Sequence, residues 1–563
     1  MDCMLWIRFL RLTGATLILG ATLGCRTAPA PAPKAAQTHD SNAATVVAEI
    51  ALQKGDCRAA AENYAAAAAN GDAKLAKRAT EVALACENMP AAWQATGRWH
   101  ALAPQDRTAT IAYATVALKL YRIGDAQTAL TPVVRGAGSH AETDLVSLIE
   151  LLGDETDAPA ALVALDHTVD AHNASPGVLA ALGGLALQGY DFGRAERRAH
   201  EALERDAGSG NALRLLARVR VLQGDSQGAI TAAREVMRVD PSGGTFELAE
   251  ILTELDRTEE ARQELERLRA GDTPAAEVDR RLALLAFQSG DLNEAEHRFA
   301  DLVTRGEASD AALLYLGDIA ARTGDKDAAL SAYRQLSDSA MSLQARTRAA
   351  ALLLERNDRT GAIEILDDYL NEHPDSDFEI TLAKARLLAD HGDAQGGLTL
   401  LSAALDRYPH HPAIEYERAS MLERAGQVHD SVQAFERLLV DRPEDPTLLN
   451  ALGYTLADHG LELPRAEGFI RRALVAMPDN PAILDSLGWV RVRRGDARGA
   501  VPSLERAYTI ERDPEIAAHW GEALWLSGAR AQARQVWAAA LARHPDSEAL
   551  KATLHRLLPP ERS

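Results

Sequence analysis

Apolar and small residues recur along this chain with a long, near-constant period. Leu452-Gly453, Leu487-Gly488 and Trp520-Gly521 each sit near the middle of a segment with helical hydrophobic spacing. About twelve residues after each glycine comes a small residue: Ala466 (one residue late), Ala500 and Ala533. About four residues further comes a bulky apolar one: Ile470, Leu504 and Trp537. Upstream, the first small position recurs as Gly183, Ala217, Ala249, Ala283, Gly317, Ala350, Ala385 and Ala419. The second recurs as Ala195, Ala229, Ala261, Ala295, Ala329, Ala362, Gly397 and Ser431. From Gly183 to Gly521 the first position returns every 32 to 35 residues through eleven units. General amphipathicity does not hold such a register. The pattern predicts pairs of antiparallel helices that cross where Gly453 or Gly488 faces Ala466 or Ala500. The bulky residues would fill the space between one hairpin and the next.

Breakers fall where this reading needs them. Gly224-Asp225, Gly290-Asp291, Gly324-Asp325, Gly392-Asp393 and Gly495-Asp496 lie between the two helices of their units. Glycine ends a helix in a left-handed conformation and the aspartate caps the next. Pro241, Pro374, Pro409, Pro443, Pro478 and Pro545 lie between units. The whole resembles the tetratricopeptide repeat, a helical hairpin of about 34 residues that buries its apolar face only by stacking on neighbours. The fold expected is an all-α superhelical solenoid of about fifteen hairpins. Residues 176–557 form the regular array. Residues 44–175 read as degenerate units, with Gly55-Asp56 and Gly124-Asp125 at turns and 142–173 hardest to align. Residues 558–563 are a tail.

The first residues read as an address. Arg8 and Arg11 precede an uncharged stretch, 12–24, that ends at Cys25. That is the layout of a secretion signal, too short for a spanning helix. Thr22-Leu23-Gly24-Cys25 resembles a bacterial lipoprotein cleavage box, although Thr22 and Leu23 depart from its usual residues. The expectation is a signal peptide over 1–24 and lipidation of Cys25. An ordinary cleaved signal and an uncleaved anchor are the alternatives. Residues 25–43 are a linker with Ala-Pro repeats from Ala28 to Pro33, an extended spacer by composition. Arg26 stands where an Asp would resemble an inner-membrane retention signal. The expected address is therefore the outer membrane, facing the periplasm.

Beyond Cys3 and Cys25 only Cys57 and Cys86 remain. They form either one disulfide or two separate buried thiols. Two thiols and no histidine cluster give no metal site, and His410-His411 reads as a solvated loop pair. The formal charge is −21, and removing 1–24 takes away Asp2, Arg8 and Arg11 to leave −22. That balance disfavours nucleic acid. No phosphate loop, metalloprotease helix or nucleophile elbow is present, so the sequence reads as a non-enzyme with no cofactor and no small-molecule substrate.

In this repeat the first helix of each hairpin lines the concave face. Residues three before and one, four and five after the small position should face the groove. In the last units these include Tyr416, Glu423, Arg424, Asn450, Tyr454, Asp458, Asp485, Trp489, Arg493, Glu522 and Trp525. The candidate protein-binding set is Asn450, Tyr454, Asp458, Asp485, Trp489, Arg493, Glu522 and Trp525, because exposed aromatics beside Arg and Asn compose hot spots. Trp537 occupies a packing position.

Three stretches carry a further resemblance: Asn450-Ala451-Leu452-Gly453-Tyr454-Thr455-Leu456-Ala457-Asp458, Pro478 to Val490, and Asp513 to Glu522. They look like the C-terminal third of long repeat-containing outer-membrane lipoproteins of Gram-negative bacteria. That resemblance implies a lipid-anchored adaptor that binds a periplasmic carboxy-terminal processing protease and presents cell-wall hydrolases to it. A structural scaffold of envelope secretion, or of polysaccharide or pilus export, is the other expectation.

Overall fold

A computed structural model describes residues 41–135, 141–170, 173–269, 274–307, 309–336 and 339–558. The signal peptide, Cys25 and most of the linker lie outside the described residues, as do 559–563. The described residues contain 31 α-helices and no strand. These are fifteen antiparallel pairs, from Ser41–Gln53 with Cys57–Ala69 to Pro514–Leu526 with Arg530–Arg543, and one closing helix, Glu548–Leu557. The architecture is the expected all-α solenoid. The first helix starts three residues before the predicted boundary at 44. No helix among the described residues is long and apolar enough to cross a membrane.

Local chemistry explains the pairs. After helix Gly210–Gln223, Gly224 takes a left-handed φ of 82° and Asp225 accepts the N–H of Gly228. Asp291, Asp325, Asp393 and Asp496 cap their helices in the same way. Pro412, Pro446, Pro481 and Pro514 open the first helix of their units, where a missing N–H is harmless. Pro241 also opens a helix, Pro241–Glu254, and does not lie between units.

The expected approach of small residues is present at Gly453, which lies against the Ala466 carbonyl, and at Gly397, which lies against that of Ala385, but a bulky side chain shares or takes the crossing elsewhere. A methyl group on Gly488 would overlap the side chain of Leu504, and one on Gly521 would overlap Trp537. The bulky residue of the second helix thus sits over the glycine of its own hairpin. Trp537 is 1 % exposed there, so it is core. Removing such a side chain from water contributes roughly 2–3 kcal/mol.

First helices of successive units touch one another, as Pro446–Asp458 touches Pro481–Arg493 and that helix touches Pro514–Leu526. The ribbon therefore curls toward its first helices and makes them the concave wall. The arrangement changes between 107 and 166. There the second helices Ile123–Arg135 and Ala158–Asp166 pack together, and the latter has only 9 residues. It overlaps 142–173, the stretch whose periodicity is hardest to align. Near the array's start, Cys57 and Cys86 are joined by a disulfide across 29 residues of chain.

The superhelix also winds back onto itself. Turns within the early hairpins meet turns between the late ones. His411 Nε2 lies 3.2 Å from Glu87 Oε2. Tyr121 Oη donates to the Glu444 carbonyl at 3.4 Å. The Tyr190 carbonyl accepts from Asp479 N–H at 2.9 Å. Arg506 donates to the Leu222 carbonyl at 3.1 Å. Arg512 and Arg543 both donate to Asp256 Oδ2 at 2.8 Å. His410-His411 is consequently a correction. His410 is exposed, but His411 is 7 % exposed, with its ring tilted 4.4 Å from that of Phe378, and buried in this seam.

Candidate protein-binding surface

The predicted C-terminal residues come from three successive first helices. Asn450, Tyr454 and Asp458 lie on Pro446–Asp458, Asp485, Trp489 and Arg493 on Pro481–Arg493, and Glu522 and Trp525 on Pro514–Leu526. The structure brings most of them together, but they spend their chemistry on one another. Trp489 is 8 % exposed, stacks on His519 at 4.2 Å and donates its indole N–H to Asp458 at 3.0 Å. Arg493 bonds the Asp458 carbonyl and remains exposed. Asp485 is buried, with its two oxygens 3.0 and 2.9 Å from His519 Nδ1. Tyr454 reaches past the intervening helix to donate to Glu515 at 2.8 Å. Glu522 is buried and takes two hydrogen bonds from Arg556, at 2.7 and 2.6 Å.

Trp489 therefore does not stand free in the groove as the spacing suggested. The spacing shows which way a side chain leaves its helix. It does not show that the next helix lies close enough to cover it. Trp525 keeps partial exposure, with the guanidinium groups of Arg530 and Arg534 4.9 and 5.6 Å from its ring and Trp537 5.9 Å away. Asn450 has a buried Oδ1 with no hydrogen-bond partner among the described residues. Tyr416 packs edge-on to Phe435, and Arg424 pairs with Asp390 at 2.7 Å. His519, Glu515 and Arg556, which complete this network, were not among the predicted residues. His519 carries no groove-facing spacing, and Glu515 and Arg556 lie outside the repeated core positions.

Electrostatics follow burial. Burial pulls the His519 pKa down, but the charge and hydrogen bonds of Asp485, with Glu515 and Glu522 nearby, outweigh it and leave it raised. Burial, with the Glu515 and Asp458 charges, pushes the Tyr454 phenol up. Burial also raises the Glu423 carboxyl against the hydrogen bond from His459. Glu423, Asp458 and His459 have ligand atoms within 4.8 Å of one another. Each already serves the wall, His459 on Glu423 at 3.1 Å and Asp458 on Trp489.

A different stretch of the concave wall stays open. Helices Ala141–Glu155, Pro176–Gln188 and Gly210–Gln223 border a cleft of about 350 Å³. It is lined by small residues, Gly177, Ala180, Ala181 and Gly184, with Glu150 and Arg214, and Val146 and Leu215 add apolar surface; the Glu142 carboxylate lies over Gly177. Nothing lies within 4 Å of where a Gly184 Cβ would stand. Gly184 occupies the place in its unit that Trp489 occupies in the later one. Sequence reasoning passed over this cleft because it looked for large groups, and the signal here is their absence.

Family models agree with the repeat read from the sequence. Tetratricopeptide repeat family models match residues 180–244, 280–342, 344–376, 382–446 and 416–481. A tetratricopeptide repeat-containing protein of Pseudomonas aeruginosa is 28 % identical over 213 residues. That match spans 38 % of this chain and 36 % of the relative, so the chain aligns with about a third of that protein's length. Among solved structures, a thermophilic tetratricopeptide repeat protein of Thermus thermophilus is 23 % identical, covers 32 % of this chain and 98 % of its own, and has a TM-score of 0.30. A tetratricopeptide repeat protein from Parabacteroides merdae is 18 % identical, covers 44 % of this chain and 98 % of its own, and has a TM-score of 0.32. The matched segments are tetratricopeptide repeats, the unit that the helical pairs and their capped turns display.

Proposed function

We propose that this protein is a lipid-anchored binding scaffold at the outer membrane, facing the periplasm, and that its concave wall receives a segment of a partner protein. The reading extends to an adaptor that presents cell-wall hydrolases to a carboxy-terminal processing protease. The observation that carries the binding part is the open concave cleft between 146 and 215, set in a wall of first helices whose packing demands are already met. What supports the address is sequence alone: the charged and apolar segment before Cys25 and the Ala-Pro spacer after it. Tetratricopeptide repeats serve as scaffolds for protein–protein interaction, and no catalytic constellation is part of this proposal. In the C-terminal wall, Arg493 and Trp525 are the predicted residues placed to touch a partner. Asp458, Asp485, Trp489 and Glu522 hold the wall's shape.

Affinity capture from detergent-solubilised envelopes tests it, with wild type compared with a Gly184→Trp chain whose cleft is filled. A processing protease recovered with wild type and depleted with the variant is the expected result. Recovery of secretion-channel proteins would instead favour the export scaffold. Metabolic lipid labelling of wild type against Cys25→Ala tests the anchor, and equal labelling would remove it.

A further inference from the structure

The turn between the two helices of a hairpin takes a left-handed backbone in this array, and glycine is its usual residue. Gly55, Gly224, Gly290, Gly324, Gly392, Gly426, Gly460, Gly495 and Gly528 all hold it, with φ between 67° and 97°, and Gly224 among them lies on the seam against Thr509. A side chain there is strained, because its Cβ crowds the backbone. Four hairpins nevertheless place a larger residue at this turn and lie in the early half: Glu87 (φ 48°), Tyr121 (58°), Tyr190 (55°) and Asp256 (59°). Each of the four touches the late half. Glu87 meets His411, Tyr121 meets the Glu444 carbonyl, the Tyr190 carbonyl meets Asp479 N–H, and Asp256 takes Arg512 and Arg543. A fifth strained residue, His410 (φ 53°), adjoins His411 on the other side. Asn357 and Glu462 are the left-handed non-glycines away from the seam, and asparagine tolerates that conformation.

We infer that these residues form a clasp between successive turns of the superhelix. It joins one edge of the helical ribbon to the opposite edge one turn later, fixes the pitch, and closes the side of the concave groove. Local strain is kept where it supplies a contact across 256 to 324 residues of chain. Further contacts lie on the same seam: Arg58 to the Asp406 carbonyl at 3.0 Å, Phe192 N–H to Asp479 at 3.1 Å and Arg506 to the Leu222 carbonyl at 3.1 Å. Most of these contacts are ionic or charge-assisted, and several are exposed. Salt should therefore weaken the clasp while leaving the apolar stacking within each turn intact. The inference concerns the shape of the binding wall proposed above. Its test involves no partner, so its failure and the failure of the binding reading are separable.

The test measures a distance in the full chain, in detergent, by pulsed electron resonance between spin labels at Gln227 and Glu505. These exposed positions flank the approach of Gly224 to Thr509. Wild type should give one short, narrow distance at low salt, shifting longer and broader at high salt. Arg512→Glu with Arg543→Glu should shift it at low salt, and adding Asp256→Arg should restore the short distance. Glu87→Gly with Asp256→Gly installs the array's usual turn residue and relieves strain, so a purely local role predicts no lengthening, whereas the clasp predicts lengthening with unchanged helix content. A distribution that stays the same in all variants and at high salt would overturn the inference. So would a lengthening that the reversed charge pair fails to rescue.

Discussion

The concave wall is built twice from the same kind of helix with opposite outcomes. Between 146 and 215 the inward positions are Gly177, Ala180, Ala181 and Gly184, and a cleft remains. Between 450 and 525 they are Tyr454, Asp485, Trp489 and Glu522, and the space is taken by hydrogen bonds and stacked rings. Both regions keep a glycine at the crossing, but Gly488 lies under Leu504 of its own hairpin, whereas Gly183 lies under Leu215 of the next unit as well as Arg198 of its own. Composition at the repeat's core positions therefore fixes the scaffold. Composition one residue further on decides whether the wall is a receptacle or a strut. Large aromatic side chains near a groove do not by themselves mark a binding site, since they also fill it.

The comparison is broken most severely at the crossings. Gly488→Leu should cost about 3 kcal/mol or more, because Leu504 already occupies the space and the helices must part. Chemical denaturation should show an early transition of the C-terminal units, and an unchanged curve would refute the assigned crossing. Next comes emptying the filled wall. Trp489→Ala should cost roughly 3 kcal/mol, since it removes a buried ring, strips Asp458 of a donor and unstacks His519. Retained stability with lost partner capture would instead make Trp489 a contact residue.

The two regions also meet through protons. Asp157 caps helix Ala158–Asp166, and burial with the charge of Asp445, the cap of Pro446–Asp458, pushes its carboxyl up to about 7. An ordinary unfolded carboxyl loses its proton near pH 4, so between about 4 and 7 the folded chain holds the extra proton and stability falls as pH rises. Asp157→Asn keeps the cap and should flatten this slope, gaining on the order of 1–3 kcal/mol at pH 8 relative to pH 4. His519 acts in the next window. Its folded pKa is raised, so the pair with Asp485 contributes fully below the ordinary histidine value and is lost as pH rises through the raised one. Melting temperatures of wild type, Asp157→Asn and His519→Gln between pH 4 and 9 would separate the two windows, and parallel curves would remove both assignments.

The smallest effect sharpens the contrast. Gly184→Ala should stabilise by about 0.5–1 kcal/mol, because alanine favours helix and nothing lies within 4 Å of the new carbon. A loss of stability would mean that the cleft closes in solution.

The helical pairs, their number, their capped turns and the burial of Trp537 were readable from sequence, because each depends on residues within one unit or its neighbour. A repeat of 32 to 35 residues states those neighbours again and again. The candidate site was readable only in part. Inward positions such as Asn450 and Trp525 follow from helical spacing, but whether Trp489 is covered depends on how closely His519 approaches, and no single helix encodes that. The seam was beyond reach for the same reason. Glu87 and His411 are 324 residues apart, and small rotations between units, added over a whole turn of the superhelix, decide whether they meet. The sequence by itself determined the local hairpin and its repetition. The tertiary structure alone decided pitch, closure and which inward side chains remain free, because these are sums of many small packing angles.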